Sequence, residues 1–365
     1  MADAKTPDAA AANRRTVLLA RLPIRAIMLT TLAIVLVAAI VAGSWATLSE
    51  GRITADGWRN LTISGVARGS VYAIIAVGYT LVYGILIMIN FAHGEVFMTG
   101  AFSTLFVAQA LNENGLLSSS PILSLGIMFI SSMLISMLVA ITLERVAYRP
   151  LRGAPRLIPL ITAIGASLFL QNTFLGLFGG SSVAYPGMEA FDGDVSVLGL
   201  LMTKKQLIVI LGAIILMAAL FLFITRTKTG RAMRAVGEDR EIASLMGIDV
   251  DRVIVTTFAI GGALAGAAGI LFVLIFNQVN YFMGFVPGIK AFTAAVLGGI
   301  GNVVGAALGG LFLGVIESVG PNLFLGGAGV PSPNQLQPVI AFGVLVFVLI
   351  FRPGGILGSS EEARA

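Results

Sequence analysis

The 365-residue sequence contains no cysteine and a single histidine. Disulfides and thiolate metal centres are thereby excluded. The lone His93 also rules out a multi-histidine metal site or bis-histidine haem ligation within the chain. Charge is scarce as well. Asp, Glu, Lys and Arg make up 11% of the residues, against about 25% in a soluble domain whose surface faces water. With 57% hydrophobic residues, a soluble fold would expose apolar patches large enough to aggregate. The chain lacks a G-x-x-x-x-G-K-[ST] phosphate loop and shows no nucleophile–base set, so no catalysis and no cofactor of its own is expected. The alternating ~10-residue segments of an outer-membrane barrel are missing too.

What is present is a series of long apolar runs. Residues 207–224 hold no charge, and 253–276 are nearly as apolar. A hydrocarbon core of ~30 Å needs roughly 20 such residues per helix, and backbone groups in lipid must be paired internally, so the runs are helices. The pattern predicts spans near 27–46, 61–89, 95–111, 122–143, 157–178, 206–225, 253–275, 302–318 and 336–351, with a short piece at 290–299. The expected fold is therefore an all-α polytopic integral membrane protein with about nine full transmembrane helices and one short broken helix.

Lys and Arg accumulate in cytoplasmic loops. Most of the 23 basic residues fall in the N-terminal tail, the loop after the fourth span and the loop after the sixth. Strict alternation puts all three on one side, and the net charge of +5 is accounted for without nucleic acid. Were 290–318 one crossing, the loop 320–337 would lie inside although it contains no Lys or Arg. Counting the short piece as a crossing gives ten, with both termini cytoplasmic. Residues 1–26 then form a disordered tail, 27–351 the membrane domain with a cytoplasmic segment at 226–252, and 352–365 a second tail. The first run is read as an uncleaved helix, although the small residues 42–46 would also suit a signal-peptide cleavage site.

Gly262 and Gly266, and likewise Gly305 and Gly309, sit four apart and stack small residues along one helix face, where backbones approach closely. Such faces serve packing within one subunit or contact with a second. Three segments carry more. Asn90-Phe91-Ala92-His93-Gly94-Glu95 places three polar residues between two spans. It is either an interhelical turn or a broken-helix site on a transport path. In 230–248, acidic Glu238, Asp239 and Glu241 precede Ile242, Leu245 and Met246 at helical spacing, with Gly247 as a stop. This predicts a helix over 238–246 whose apolar face has no membrane to enter and packs on the chain's own helix ends or on a partner. Finally, 288–302 brackets a short apolar piece between Pro287-Gly288 and Gly298-Gly299-Ile300-Gly301, the pattern of a discontinuous helix. Lys290 within it is a path residue or an interfacial anchor. Asn90, His93, Glu95, Lys290, Gly298, Gly299 and Gly301 are the candidates for the translocation path.

Together these three segments, in order over residues 61–358, resemble the LivH-type permease subunit of branched-chain amino acid ABC importers. The resemblance implies an inner-membrane subunit working with a second homologous permease, two cytoplasmic ATPases that use the ATP, and a periplasmic binding protein. It also implies that 230–248 is similar to an EAA-like coupling segment that docks on an ATPase. Gly230, Arg234, Ala235, Gly237, Glu238, Asp239, Ala243, Gly247 and Ile248 are its expected residues. Permeases of this type also serve other amino acids, amides and urea. A proton-coupled carrier working alone is the rival, with Glu95 or Glu317 as its proton group.

Overall fold

The computed structural model describes residues 24–51, 53–155, 157–197, 199–327, 330, 333–352 and 354–358. Of the expected tails at 1–26 and 352–365, residues 1–23, 353 and 359–365 lie outside them, while residues 24–26 are helical rather than part of a tail. Among the described residues, nine helices are long and apolar enough to cross a membrane, and one shorter apolar helix accompanies them. In chain order the helices are α1 (Ile24–Glu50), α2 (Ala55–Leu86), α3 (His93–Glu113), the single turn α4 (Leu116–Ser119), α5 (Pro121–Leu143), α6 (Leu157–Phe178), α7 (Lys204–Arg226), α8 (Lys228–Glu238), α9 (Arg240–Leu245), α10 (Val250–Phe276), α11 (Phe285–Gly298), α12 (Val303–Leu325) and α13 (Gln337–Phe351).

The boundaries have local causes. Thr54 caps α2 by accepting the Gly57 amide at 3.2 Å, so this span begins earlier than the hydropathy run. It ends at Leu86, three residues short of the expected limit, because Ile87 turns left-handed at φ +53°. Thr203 and Gln206 form a reciprocal capping box at the start of α7. Pro287 and Gly288 lie inside the first turn of α11 rather than ahead of it, where the missing proline N–H has no helical partner to lose. α12 runs on to Leu325 through Pro321, so the connection expected over 320–337 begins only after it.

Two compact units are present: residues 1–52 with 322–333, and 53–321 with 334–365. In the first, α1 packs on residues 324–327, and Thr47 Oγ1 accepts the Gly327 amide at 2.7 Å. In the second, α2, α3 and α10 form the centre, with 83%, 72% and 72% of their apolar windows buried, against 22% or less for α5, α6, α7 and α13. The peripheral α7 is the most apolar span and the central α3 the least. A side chain facing lipid must be apolar, whereas one facing another helix need only find its partner. Two short antiparallel pairings, 183–184 with 278–279 and 194–197 with 200–203, order the connections at the helix ends.

Hydroxyls and glycines hold the centre together. Ser132 and Ser136 of α5 donate to the carbonyls of Gly266 in α10 at 2.8 Å and of Val96 in α3 at 2.9 Å. Gly262 and Gly266 face Ser136 and Ser132 so closely that a Cβ at either would meet that backbone at 2.7 and 2.4 Å. Gly305 and Gly309 press on α11 at Gly298 and Ala294, while Gly310 and Gly314 press on α2 at Ala73 and Gly69. These small-residue faces are thus occupied within the chain. Lipid offers little hydrophobic drive between helices, so close approach has to supply the contact.

Lys290 is no interfacial anchor. Its ammonium is paired with Glu317 of α12 and lies 5.7 Å from the centre of the Tyr72 ring. Both ions are buried, at 8% and 2% exposure. The pair fastens α11 to α12 beneath α2.

Two outcomes follow. A Cβ at Gly310 would lie 2.4 Å from Ala73 Cα, whereas one at Gly126 meets open space. Gly310→Val should lower the melting temperature in detergent, in line with about 1–3 kcal/mol for overpacking, and Gly126→Val should leave it unchanged. Lys290→Met should cost about 3–5 kcal/mol by stranding a buried carboxylate, and adding Glu317→Leu should recover most of that loss in the same melting experiment.

Candidate functional site

The break after α2 is built inward. Asn90, His93 and Glu95 are all buried rather than set in an open turn. Tyr148, in a π-helical turn at Glu144–Tyr148, donates its hydroxyl to Asn90 Oδ1 at 2.6 Å. The His93 ring meets the Tyr79 ring edge-on at 4.8 Å, and a Cβ on Gly78 would lie 2.3 Å from His93 Nε2. Asn90 and His93 therefore fasten the break to its neighbours. Gly94 comes equally close to α11, where a Cβ would sit 2.5 Å from the Gly284 carbonyl oxygen.

Glu95 is different. Its Oε1 accepts from Gln171 Nε2 at 2.6 Å and from Ser167 Oγ at 3.3 Å. Its Oε2 has no partner. A cavity of about 280 Å³ adjoins it, walled by Tyr79, Phe91, Ser167, Leu168, Phe285 and Ile289 among others. Ser167 and Gln171 are absent from the sequence-based candidates. The signal was there: they are polar residues four apart, on one face of a largely apolar span.

The loop after α7 forms two helices rather than the single one expected over 238–246. α8 is capped by Thr227, whose hydroxyl accepts the Gly230 amide at 2.9 Å, and it buries Gly230, Met233 and Val236. Asp239 breaks the pair. Its carboxylate accepts the amides of Glu241 at 2.8 Å and Ile242 at 2.9 Å, capping α9, while Glu238 closes α8 instead. Gly247 at φ +80° is the stop, and the Ile248 amide returns to the Ala243 carbonyl at 3.1 Å. Gly237 presses on the end of α2, where a Cβ would lie 2.9 Å from the Gly84 carbonyl oxygen. Ala235 is half-buried and Arg234 exposed. Ala243 faces inward at 4% exposure, whereas Ile242, Leu245 and Met246 stand 59%, 87% and 78% exposed.

Arg240 ties this segment to the first break. It donates from Nε to the Ile85 carbonyl at 3.0 Å, with a second contact from Nη2 to the same oxygen. Burial, with the Arg152 charge nearby, holds its guanidinium below the usual range. Arg152 itself bridges Glu144 and Asp251, and Arg149 reaches Asp251 at 2.6 Å. Basic residues that read from sequence as topology markers thus also clamp the loop after α5 to the start of α10.

The turn at 298–302 sits at the same end, since Gly301 and Val303 share a cavity of about 260 Å³ with Gly84, Met233, Gly237 and Glu238. Gly299 and Gly301 take φ +105° and +96°. The freed carbonyls are covered by the C-terminal segment: Ile356 N donates to Leu297 O at 2.8 Å and Leu357 N to Gly298 O at 3.0 Å. A Cβ at Gly299 would strike Gly358 N at 2.4 Å. Gly298 and Gly299 are accordingly buried under protein, and of this turn's path candidates only Gly301 is exposed.

Residues 61–349 match the family described as branched-chain amino acid transport system, permease component. The chain is 45% identical over 306 residues to the high-affinity branched-chain amino acid transport system permease protein BraD of Pseudomonas aeruginosa, covering 83% of this chain and 96% of that protein. It is 42% identical over 306 residues to the permease protein LivH of the corresponding Escherichia coli K12 system, covering 82% and 96%. Among solved structures, an inward-facing metal-chelate type ABC transporter gives a TM-score of 0.39 at 15% identity, covering 87% of this chain and 99% of that one, a likeness too distant to bear on function. With a family match over most of its length, close relatives over more than four-fifths of it, and nine membrane-crossing helices, the chain belongs to the permease components of branched-chain amino acid transport systems.

Proposed function

We propose that this permease is one membrane half of an ATP-driven importer of branched-chain amino acids in the bacterial inner membrane. It works with a second homologous permease subunit, two cytoplasmic ATPases and a periplasmic binding protein. The single observation that carries this reading is the apolar face of α9. Ile242, Leu245 and Met246 stand exposed on a helix whose other side is anchored by Ala243, in a segment rich in arginine. An exposed apolar cluster rimmed by charge is the character of a protein contact surface. Arg240 and Gly237 join that surface to the end of α2, so a push on α9 reaches the break at 87–92 directly. The substrate comes from the relatives, whose names specify branched-chain amino acids. The ATP is spent by the partner ATPases, since this chain has no phosphate loop of its own.

Leu245→Asp tests the contact. At 87% exposure the substitution leaves the fold intact. The variant should insert normally, yet ATPase copurification should fall about thirtyfold or more, the loss expected of a central interface anchor. Leucine uptake should fall with it. Uptake by wild-type chain without ATPases would establish the carrier instead.

Orientation is tested at Ser332, which lies outside the described residues. The chain has no native cysteine, so Ser332→Cys gives a clean single label. It should react with an impermeant thiol reagent in intact cells, because the connection after α12 lacks Lys and Arg. Labelling only after membrane rupture would reverse the assignment.

A further inference from the structure

Glu95 is a buried carboxylate with one paired and one free oxygen, and it lines a cavity. Oε1 is occupied by Gln171 and Ser167, while Oε2 has no partner although the residue is only 1% exposed. Gly284 makes the room. A Cβ there would lie 2.5 Å from Oε2, and Gly284 lines the same cavity as Glu95. Buried polar atoms are nearly always paired, so an exception asks for a ligand.

The walls state what kind of ligand fits. Phe91, Leu168, Phe285 and Ile289 present hydrocarbon, and Glu95 is the only ionisable carboxylate or amine among the lining residues. At about 280 Å³ the space falls just below the ~300 Å³ at which pockets for drug-sized ligands begin. A small molecule with one ammonium group and an aliphatic branch satisfies both features. The ammonium donates to the carboxylate, and the branch leaves water for apolar walls.

We propose that the Glu95 cavity receives the ammonium group of the transported amino acid, with Oε2 as acceptor and the apolar wall holding the aliphatic side chain. This rests on the import reading and names a site for it. Gln171 and Ser167 are positioning residues, because they occupy Oε1 and leave Oε2 toward Gly284.

The test uses the full complex, with ATPases and binding protein, in lipid nanodiscs and proteoliposomes. Ile289→Cys places one thiol on the cavity wall of a chain that has no other cysteine. Cationic aminoethyl methanethiosulfonate should modify it at least about tenfold faster than the anionic sulfonatoethyl reagent, the preference that one charge-assisted contact supplies. L-leucine should slow the cationic reagent, whereas 4-methylpentanoate, the same skeleton without its amine, should not. Adding Glu95→Gln should erase the charge preference. In complexes without the cysteine, Glu95→Gln should cut leucine uptake by at least about tenfold while assembly and ATP hydrolysis persist, with Glu95→Asp retaining part of the uptake. Equal rates for the two reagents, a preference that survives Glu95→Gln, absence of protection by leucine, or no reaction with either reagent because lipid fills the cavity would each overturn the proposal. The reagent comparison and the protection by leucine are both read with Glu95 in place, so a misfolded Glu95→Gln variant does not obscure them. Failure of the wild-type complex to import leucine would overturn the import reading instead, and it is seen before any substitution at Glu95 is made.

Discussion

The hydrocarbon core of a membrane supplies no hydrogen-bond donors or acceptors, so any place where this chain stops being a helix has to be paired by the chain itself. Both interruptions in the central bundle meet that demand. After α2, the Ile85 carbonyl takes Arg240, Ile87 turns back on Tyr83, and Asn90 takes the Tyr148 hydroxyl. After α11, the carbonyls of Leu297 and Gly298 take the amides of Ile356 and Leu357. Irregular backbone is thus concentrated at the end that also carries α8 and α9, where arginine side chains and the C-terminal segment are at hand. That is also the end at which α9 presents its exposed apolar face.

The same solvent explains the distribution of side chains. In water the apolar residues of a helix mark its inner face, but here the most apolar span, α7, is peripheral and the central α3 is the least apolar. The centre is held by serine hydroxyls on facing carbonyls and by glycines that let α5, α10, α11 and α12 approach their neighbours. A glycine stripe makes a contact rigid, because there is no side chain between the backbones to yield.

Two acidic residues in the bundle show how different buried charges can be. Glu317 is matched by Lys290, a pair that fixes α11 to α12 and asks for nothing further at the paired oxygen. Glu95 is held by two neutral donors on a single oxygen and faces a cavity with the other. The first arrangement is a fastener. The second has the asymmetry of a binding group, and it lies in the first turn of α3, directly after the break that Arg240 ties to α9.

Much of this architecture was written in local sequence. Hydropathy runs gave every span to within a few residues except at the ends of α2, α11 and α12, because span length is imposed by the bilayer one segment at a time. The motifs at 90–95, 230–248 and 288–302 were legible for the same reason, each being a short departure from an apolar background. Partnership was not legible. Nothing local says that Lys290 meets Glu317 rather than the interface, or that Ser167 and Gln171 reach Glu95 from a span 72 and 76 residues away. Those pairings were decided only by tertiary structure, because which faces of two helices meet depends on the packing of all the others, and a polar side chain in lipid takes whichever partner that packing brings within reach.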